Sequence, residues 1–270
     1  MERHRRRIGG RSRLGRALTM GMVAMLAASV VGTPAMAQDP NVLKVATTAN
    51  ITTWDPVKSF STEAFYLANL YETLLWINAP DAETPYTPAL ATEWSVSDDG
   101  LTWTFQIRPD VTFHDGEPLT ADAVVASILA AQEGAGASFI WAPLDTVTST
   151  APLTVEMTLK YAAPVDLIAS SLYGAWIVSP KALAAAAADP TYFESGVDGG
   201  TGPYTIESYR PDSEVLLNAY PGYWGGWDDV DHYDKVLVSI MPEAIDQQQA
   251  LDGGDVDIAF NVPAENLDQY

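Results

Sequence analysis

Two small groups of side chains have the types that acid–base or metal chemistry requires. His114 and Asp115 are adjacent, and an imidazole beside a carboxylate can transfer protons in catalysis. The second group is Asp228, Asp229, Asp231, His232 and Asp234. Calcium sites use oxygen ligands at alternating positions, but the Asp-x-Asp-x-Asp-Gly loop is absent here. We therefore interpret the first pair as a turn and the second group as solvated acids, and we predict neither a catalytic residue nor a metal site.

The motifs of common hydrolytic sites are also absent from the sequence. It contains no G-x-S-x-G turn, no H-E-x-x-H zinc motif and no P-loop, and only His114 and His232 follow residue 37. These absences predict that the protein is not an enzyme. A secreted hydrolase that uses paired carboxylates remains the alternative.

A predicted hairpin and helix start surround His114 within residues 90–127. Apolar and polar residues alternate over 101–107, which is the period of a strand with one buried face. Residues 98–100 are Asp-Asp-Gly, a sequence that tolerates the positive φ of tight turns. Thr120 is the predicted N-cap of a helix that continues through 123–131.

The rest of the chain mixes strand and helix patterns without a strict β-α-β order. Residues 43–47, 204–210 and 256–260 predict strands. Residues 62–76 predict a helix with a wide apolar face, and 180–188 an alanine-rich helix. The expected fold class is therefore α/β, of the mixed α+β kind.

The first 37 residues have the pattern of a secretory signal peptide. Seven arginines precede an apolar run over 17–32, and Ala35-Met36-Ala37 fits the cleavage site. The apolar run is shorter than the roughly 20 residues that span a bilayer. We predict cleavage after Ala37 and a periplasmic location.

The chain after this leader is strongly acidic. Seven of the 14 basic residues and one of the 35 acidic residues lie in the leader, so 7 and 34 remain, with a formal net charge of −27. Such a surface repels nucleic acid and anionic membranes and could attract cationic ligands, although solubility or adaptation to salt explains it as well. The chain has no cysteine and therefore no disulfide. We predict a monomer without cofactor or nucleic-acid partner.

Several short motifs occur in order along the chain. They are LYETLL (70–75), PALATEW (88–94), DGLTWTF (99–105), RPDVTFHDG (108–116), GTGPY (200–204) and GDVD (254–257). Together they resemble the extracytoplasmic solute-binding proteins of family 5, the peptide/nickel-type binding proteins of ABC importers. The resemblance extends over almost the whole segment after the leader.

The resemblance implies a type II periplasmic-binding fold, in which two lobes close over a ligand. Residues 38–79 and 177–270 would form the core subdomain of the first lobe, and 80–176 its extra subdomain. Family members are about twice this length, so we expect most of the second lobe to be missing. The implied function is extracytoplasmic capture of peptides or similar small solutes for permease subunits and their ATPase. A nonfunctional fragment is the competing interpretation.

Ligands of two-lobed proteins lie in the cleft, where loops at strand ends reach them. Three segments are candidates: the loop after the first strand, residues 139–141 and residues 260–262. Thr and Asn can hydrogen-bond a ligand, and Trp and Phe can stack on it. Core packing or loop capping explains each of these residues as well. The predicted ligand-binding residues are Thr48, Asn50, Thr53, Trp54, Trp141, Phe260 and Asn261.

Overall fold

The computed structural model describes residues 41–228 and 230–269. The predicted leader and its cleavage site after Ala37 lie outside these residues, as do Asp229 and Tyr270. Within the described part of the chain, no helix is long and apolar enough to cross a membrane.

The larger sheet has five strands in the order β11-β1-β10-β9-β8. Strand β1 is parallel to β10 and β11, whereas β9 is antiparallel to β10 and β8. The strands are β1 (Val42–Thr47), β8 (Tyr204–Arg210), β9 (Glu214–Ala219), β10 (Lys235–Ile240) and β11 (Ile258–Ala259). The strands predicted over 43–47 and 204–210 are confirmed.

The strand predicted over 256–260 is reduced to the two residues of β11. The backbone N–H groups of Asp255 and Val256 donate to the carbonyl of Ala250, at 2.8 and 3.3 Å. They therefore close the end of the preceding helix instead of pairing with β1.

The second sheet is antiparallel, with four strands in the order β4-β5-β7-β6. The strands are β4 (Ala91–Val96), β5 (Thr102–Ile107), β6 (Leu144–Ala151) and β7 (Thr154–Leu159). Buried and partly exposed residues alternate along β5, which confirms the predicted half-buried strand. Gly100 has a φ of +73° in the predicted turn. Strand β6 was not predicted, because only Leu144 and Val147 in it are buried.

Short helices and a small hairpin complete the described structure. The hairpin pairs β2 (Leu75–Ile77) with β3 (Tyr86–Pro88). The helices are α1 (Ala64–Leu67), α2 (Ala121–Glu133), α3 (Val165–Ile168), α4 (Pro180–Ala188) and α5 (Ala244–Gly253). Thr120 caps α2 as predicted, since its hydroxyl oxygen accepts from the Ala123 N–H at 3.1 Å. Helix α4 has the predicted bounds.

The helix predicted over 62–76 is wrong over most of its length, because α1 ends at Leu67. The carbonyl of Asn69 accepts from the Tyr204 N–H at 3.0 Å, and the carbonyl of Leu70 accepts from the Gly202 N–H at 2.9 Å. A segment about 130 residues further along the chain therefore takes the acceptors that a continuing helix would use.

Apolar side chains form two main cores. Phe105, Phe113 and Trp141 are among the residues between α2 and the four-stranded sheet. Trp54 and Tyr66 belong to the core on the five-stranded sheet. The two predicted tryptophans, Trp54 and Trp141, thus lie in different cores.

Candidate functional site

The carboxyl ends of three parallel strands meet at one edge of the five-stranded sheet. Because β1 runs parallel to β10 and β11, the residues that follow them, Thr48, Met241 and Phe260, lie at the same edge. In open α/β sheets, ligands bind in the crevice outside the carboxyl ends of strands. We call this edge, with the residues that follow the three strands, the carboxyl edge.

Two predicted residues meet at the carboxyl edge. The exposed Thr48 hydroxyl donates to Oδ1 of Asn261 at 3.1 Å. Behind them, Gln247 of α5 is completely buried; its Oε1 accepts from the Asn261 N–H at 3.0 Å and its Nε2 donates to the Met241 carbonyl at 2.7 Å. Gln247 thus holds two of the three strand ends together. Sequence reasoning missed it, because a glutamine within a helix has no distinctive pattern.

Asn50 lies at the same edge. Its Nδ2 donates to Oδ1 of Asp212 at 2.7 Å. Asp212 is in the turn between β8 and β9 and has a φ of +56°. Since β9 is antiparallel to β10, with Glu214 opposite Ser239, this turn lies beside the end of β10. The structure therefore brings Asn50 to the edge where Thr48 and Asn261 meet.

Phe260 supplies aromatic surface at the carboxyl edge. Its side chain is 56% exposed, and its ring centroid lies 5.1 Å from that of Phe65 at an interplanar angle of 85°. Both rings line a cavity of about 280 Å³ on the face of the five-stranded sheet. The edge thus combines hydrogen-bonding groups with an exposed ring.

The loop after β1 connects the carboxyl edge with a second exposed surface. The Thr62 hydroxyl donates to the carbonyl of Asn50 at 2.8 Å, which folds the loop back on itself. Phe60, within this loop, is 53% exposed, and its ring centroid lies 5.4 Å from Phe139 and 5.7 Å from Tyr173. One loop therefore reaches both surfaces.

Phe139 and Tyr173 line a cavity of about 500 Å³, which we call the aromatic groove. Its other apolar lining residues include Ile77, Ile140, Leu167 and Leu172. Ser170, Ser171 and the hydroxyl of Tyr173 add polar groups to the lining. Phe139 is 62% exposed. Continuous exposed apolar surface is typical of binding sites.

The predicted tryptophans do not reach either surface. Trp54 is 1% exposed and packs edge-on against Tyr66 and Tyr209, with ring centroids 5.9 and 5.2 Å away. Trp141 is 2% exposed, and its Nε1 donates to the carbonyl of Gly174 at 2.7 Å. From the predicted segment 139–141, the exposed aromatic ring is that of Phe139.

Thr53 is also separate from the residues at the carboxyl edge. Its hydroxyl donates to Oε1 of Glu194 at 2.7 Å, within the 3₁₀ turn Tyr192–Ser195. Four of the seven predicted residues thus lie together at the carboxyl edge: Thr48, Asn50, Phe260 and Asn261. Their contact with a ligand stays a prediction.

His114 belongs to a buried polar network. Its side chain is 5% exposed; Nδ1 pairs with a carboxylate oxygen of Asp198, and Nε2 donates to the carbonyl of Gly202 at 2.9 Å. Burial alone would lower the pKa of His114, but the hydrogen bond and charge of Asp198 outweigh it and raise the pKa. The predicted turn at His114-Asp115 is confirmed. Its partner, Asp198, was missed because 84 residues separate the two.

Glu72 is the second ionisable group of this network. It is 4% exposed; its Oε2 accepts from Trp224 Nε1 at 2.6 Å and from the Thr201 hydroxyl at 2.9 Å, and its Oε1 accepts from the Tyr223 hydroxyl at 3.2 Å. Burial raises the pKa of Glu72, although these three hydrogen bonds oppose the shift.

The network joins motifs that are far apart in the sequence. Glu72 comes from LYETLL, His114 from RPDVTFHDG, and Thr201 and Gly202 from GTGPY. A further bond, from the Ser179 hydroxyl to Asp115 Oδ2 at 2.5 Å, adds the start of α4. These motif residues therefore hold the fold together.

The described members of the acidic group at 228–234 are not placed together around a metal ion. Among the described residues, no three His, Cys, Asp or Glu side chains are placed to hold a metal ion, and Asp229 lies outside the described residues. The His232 ring instead stacks on Trp227, with centroids 4.0 Å apart.

Residues 85–270 match the family model described as bacterial extracellular solute-binding proteins, family 5, middle region. The probable D,D-dipeptide-binding periplasmic protein DdpA of Escherichia coli K12 is 31% identical over 183 residues, which are 66% of this chain and 34% of DdpA. The glutathione-binding protein GsiB of the same strain is 28% identical over 252 residues, 91% of this chain and 47% of GsiB.

Solved structures show the same fold. The binding protein MoaA of A. tumefaciens R10, in complex with mannopinic acid, has a TM-score of 0.71 and 27% identity, and the match covers 81% of this chain and 44% of MoaA. DppA of Helicobacter pylori, in complex with the peptide STSA, has a TM-score of 0.72 at 24% identity, with 84% and 48% covered. These neighbours confirm the type II periplasmic-binding fold. The chain spans between about a third and half of the length of these four relatives.

Proposed function

The chain belongs to the bacterial extracellular solute-binding proteins of family 5, and we propose that it forms one side of a cleft that captures a peptide or similar small solute. The capture takes place in the periplasm, after cleavage of the leader behind Ala37. The solute is then delivered to the permease subunits of an ABC importer and their ATPase. The protein acts as a monomer, and closure over the solute is its working step.

One observation carries this proposal: a single loop links the carboxyl edge with the aromatic groove. At one end of the loop, Thr48 and Asn50 offer polar groups beside Asn261. At the other end, Phe60 adjoins the rings of Phe139 and Tyr173. A peptide has both a polar backbone and apolar side chains, so it could use both surfaces.

The names and ligands of the relatives support a small organic solute with polar groups. DdpA is named for D,D-dipeptides, GsiB for glutathione, and MoaA is bound to mannopinic acid. We propose that the Thr48, Asn50 and Asn261 side chains hydrogen-bond the backbone of such a solute. Phe260 and the aromatic groove contact its apolar parts.

We also propose a division of the chain into two parts of the first lobe. Residues 38–79 and 177–270 form the core subdomain, and residues 80–176 form the extra subdomain. The five-stranded sheet draws its strands from the first part and the four-stranded sheet from the second, which supports this division.

Calorimetric titration of the exported protein tests the proposed function. D-Ala-D-Ala, glutathione and a set of dipeptides and tripeptides serve as probes. We expect saturable binding of at least one probe, and about tenfold weaker binding for Phe260→Ala and Phe139→Ala, because each loses a buried apolar contact with the solute. Tyr161→Ala is the matched control, since Tyr161 is 54% exposed and lies in neither surface.

Two results would contradict the proposal. Equal affinities of Phe260→Ala, Phe139→Ala and Tyr161→Ala for the bound probe would exclude these surfaces as the site. Hydrolysis of a probe, detected by chromatography of the same solutions, would instead favour the carboxylate-dependent hydrolase.

A further inference from the structure

A cavity of about 200 Å³ beside Glu72 takes no part in the proposed function. Its lining includes four aromatic side chains and one carboxylate. They belong to Tyr71, Trp76, Trp176, Tyr223 and Glu72. Leu172 lines both this cavity and the aromatic groove, so the two adjoin there. The cavity therefore combines the two kinds of group that attract organic cations.

The aromatic rings form a connected wall. The Tyr71 and Trp176 centroids are 6.4 Å apart, and both residues are buried. Trp76 is 41% exposed and stacks on Trp224 with a centroid distance of 6.0 Å and an interplanar angle of 20°. Trp76 therefore leaves aromatic surface open to solvent at the cavity. The faces of such rings carry the negative end of their quadrupole.

A cation already lies over the neighbouring Trp224 ring, which stacks on Trp76 but does not itself line the cavity. The guanidinium carbon of Arg108 lies 4.2 Å from the centroid of the Trp224 ring. Its Nε donates to the carbonyl of Ala89 at 2.8 Å, which holds the side chain in place. The Trp224 ring thus serves as a cation-binding face within the protein.

Glu72 is a buried carboxylate whose hydrogen-bond donors are all neutral groups. Its three donors are an indole and two hydroxyls, from Trp224, Thr201 and Tyr223. No ion pair within the described residues includes Glu72. Burial raises the pKa of Glu72, and its three hydrogen bonds and the charge of His114 offset this shift only in part. A cation in the adjoining cavity would stabilise the carboxylate further.

We propose that this cavity binds a small alkylammonium group, with its charge near Glu72 and its alkyl groups against Trp76 and the neighbouring rings. The volume fits one such group and excludes a large ligand. The group could be a free quaternary ammonium ion or the side chain of a lysine, since both have the same chemistry. The cavity shares only Leu172 with the aromatic groove and no lining residue with the cavity beside Phe260, so this inference does not depend on the proposed function.

Tryptophan fluorescence and calorimetry test the site without any peptide probe. Choline is titrated at pH 8 and constant ionic strength beside its uncharged analogue 3,3-dimethyl-1-butanol. We expect saturable binding of choline and at least about tenfold weaker binding of the analogue, because only choline has the charge. A parallel titration with N-acetyl-lysine methylamide shows which source of the group the cavity prefers.

Three variants locate the binding. Trp76→Ala and Glu72→Gln are each expected to weaken choline binding about tenfold, whereas Tyr161→Ala leaves it unchanged. Trp76 is partly exposed, so Trp76→Ala remains a valid test even where Glu72→Gln does not fold. Equal binding of choline and its analogue would overturn the proposal, as would equal affinities of Trp76→Ala and Tyr161→Ala or the absence of saturable binding of both cations.

Discussion

At the scale of single residues, the clearest chemistry is buried and holds the fold. His114 and Asp198 form a pair with 5% and 7% of their side chains exposed. Removing one partner of such a pair leaves the other charge without compensation in the interior. His114 therefore contributes to stability and lies outside the proposed solute-binding surfaces.

We expect His114→Gln to lower the free energy of unfolding by about 3–5 kcal/mol at pH 5.5, because Asp198 loses its charged partner. The pKa of His114 is raised in the folded protein, chiefly by Asp198 against the opposing effect of burial. The contribution of His114 to the free energy of unfolding is thus complete below its unfolded pKa of 6.5, and it is lost as the pH rises through its folded pKa. Urea unfolding between about pH 5.5 and 9 measures the difference in unfolding free energy between the native protein and His114→Gln. This difference should shrink as the pH rises.

His232→Gln is the matched control for that experiment. His232 is only partly buried, and its Nδ1 pairs with the carbonyl of Val230 at 3.0 Å instead of a carboxylate. The comparison shows whether a change in the pH dependence of the unfolding free energy requires loss of the imidazole that pairs with Asp198. A difference between native protein and His114→Gln that stays constant, or grows with pH, would contradict the assignment of His114 as the stabilising titrating group.

At the scale of elements, the GTGPY segment ends α1 and positions β8. The segment donates to the carbonyls of Asn69 and Leu70, so it replaces the helical hydrogen bonds that the sequence pattern predicts there. This approach needs glycine at two positions. A Cβ on Gly200 would lie 1.8 Å from the Leu70 carbonyl oxygen, and one on Gly202 would lie 2.7 Å from that of Asn69.

Gly200→Ala should therefore destabilise the protein by at least about 3 kcal/mol, since backbone must move to admit the methyl group. Gly253→Ala is the control: its Cβ would meet nothing nearer than Asp255 Oδ2 at 3.5 Å. Thermal unfolding followed by circular dichroism compares the two. An unfolding temperature of Gly200→Ala equal to that of Gly253→Ala would show that the close contact is not rigid.

At the scale of the whole molecule, charge is the dominant property. Residues 38–270 carry a formal net charge of −27, with 7 basic and 34 acidic residues. Mutual repulsion at this density opposes the compact state, and salt screens it over a Debye length of about 8 Å at 0.15 M.

We expect the unfolding temperature to rise between about 20 and about 200 mM sodium chloride, because screening relieves the repulsion between the acidic side chains. At higher salt concentrations the unfolding temperature should level off. A linear rise that continues above about 1 M would indicate exclusion of salt from the surface instead of screening. No rise at low salt would contradict a destabilising role of the net charge.

Local sequence patterns were sufficient to predict several elements of the fold. The alternation in β5, the N-cap at Thr120 and the bounds of α4 depend on neighbouring residues, and the structure confirms them. The helix predicted over 62–76 is wrong because its outcome depends on the distant GTGPY segment. Strand β6 was missed since it buries too few side chains to show an alternation.

The class of protein follows from the amino-acid sequence alone, because the motifs and the charge are local properties of the chain. Only the tertiary structure decided which residues share a surface. It joined Thr48 to Asn261 across 213 positions and paired His114 with Asp198, whereas it buried Trp54 and Trp141 in separate cores. Strand pairing between distant segments decides which side chains lie on each face of a sheet and which strand ends lie next to each other. Residue types alone do not specify this pairing.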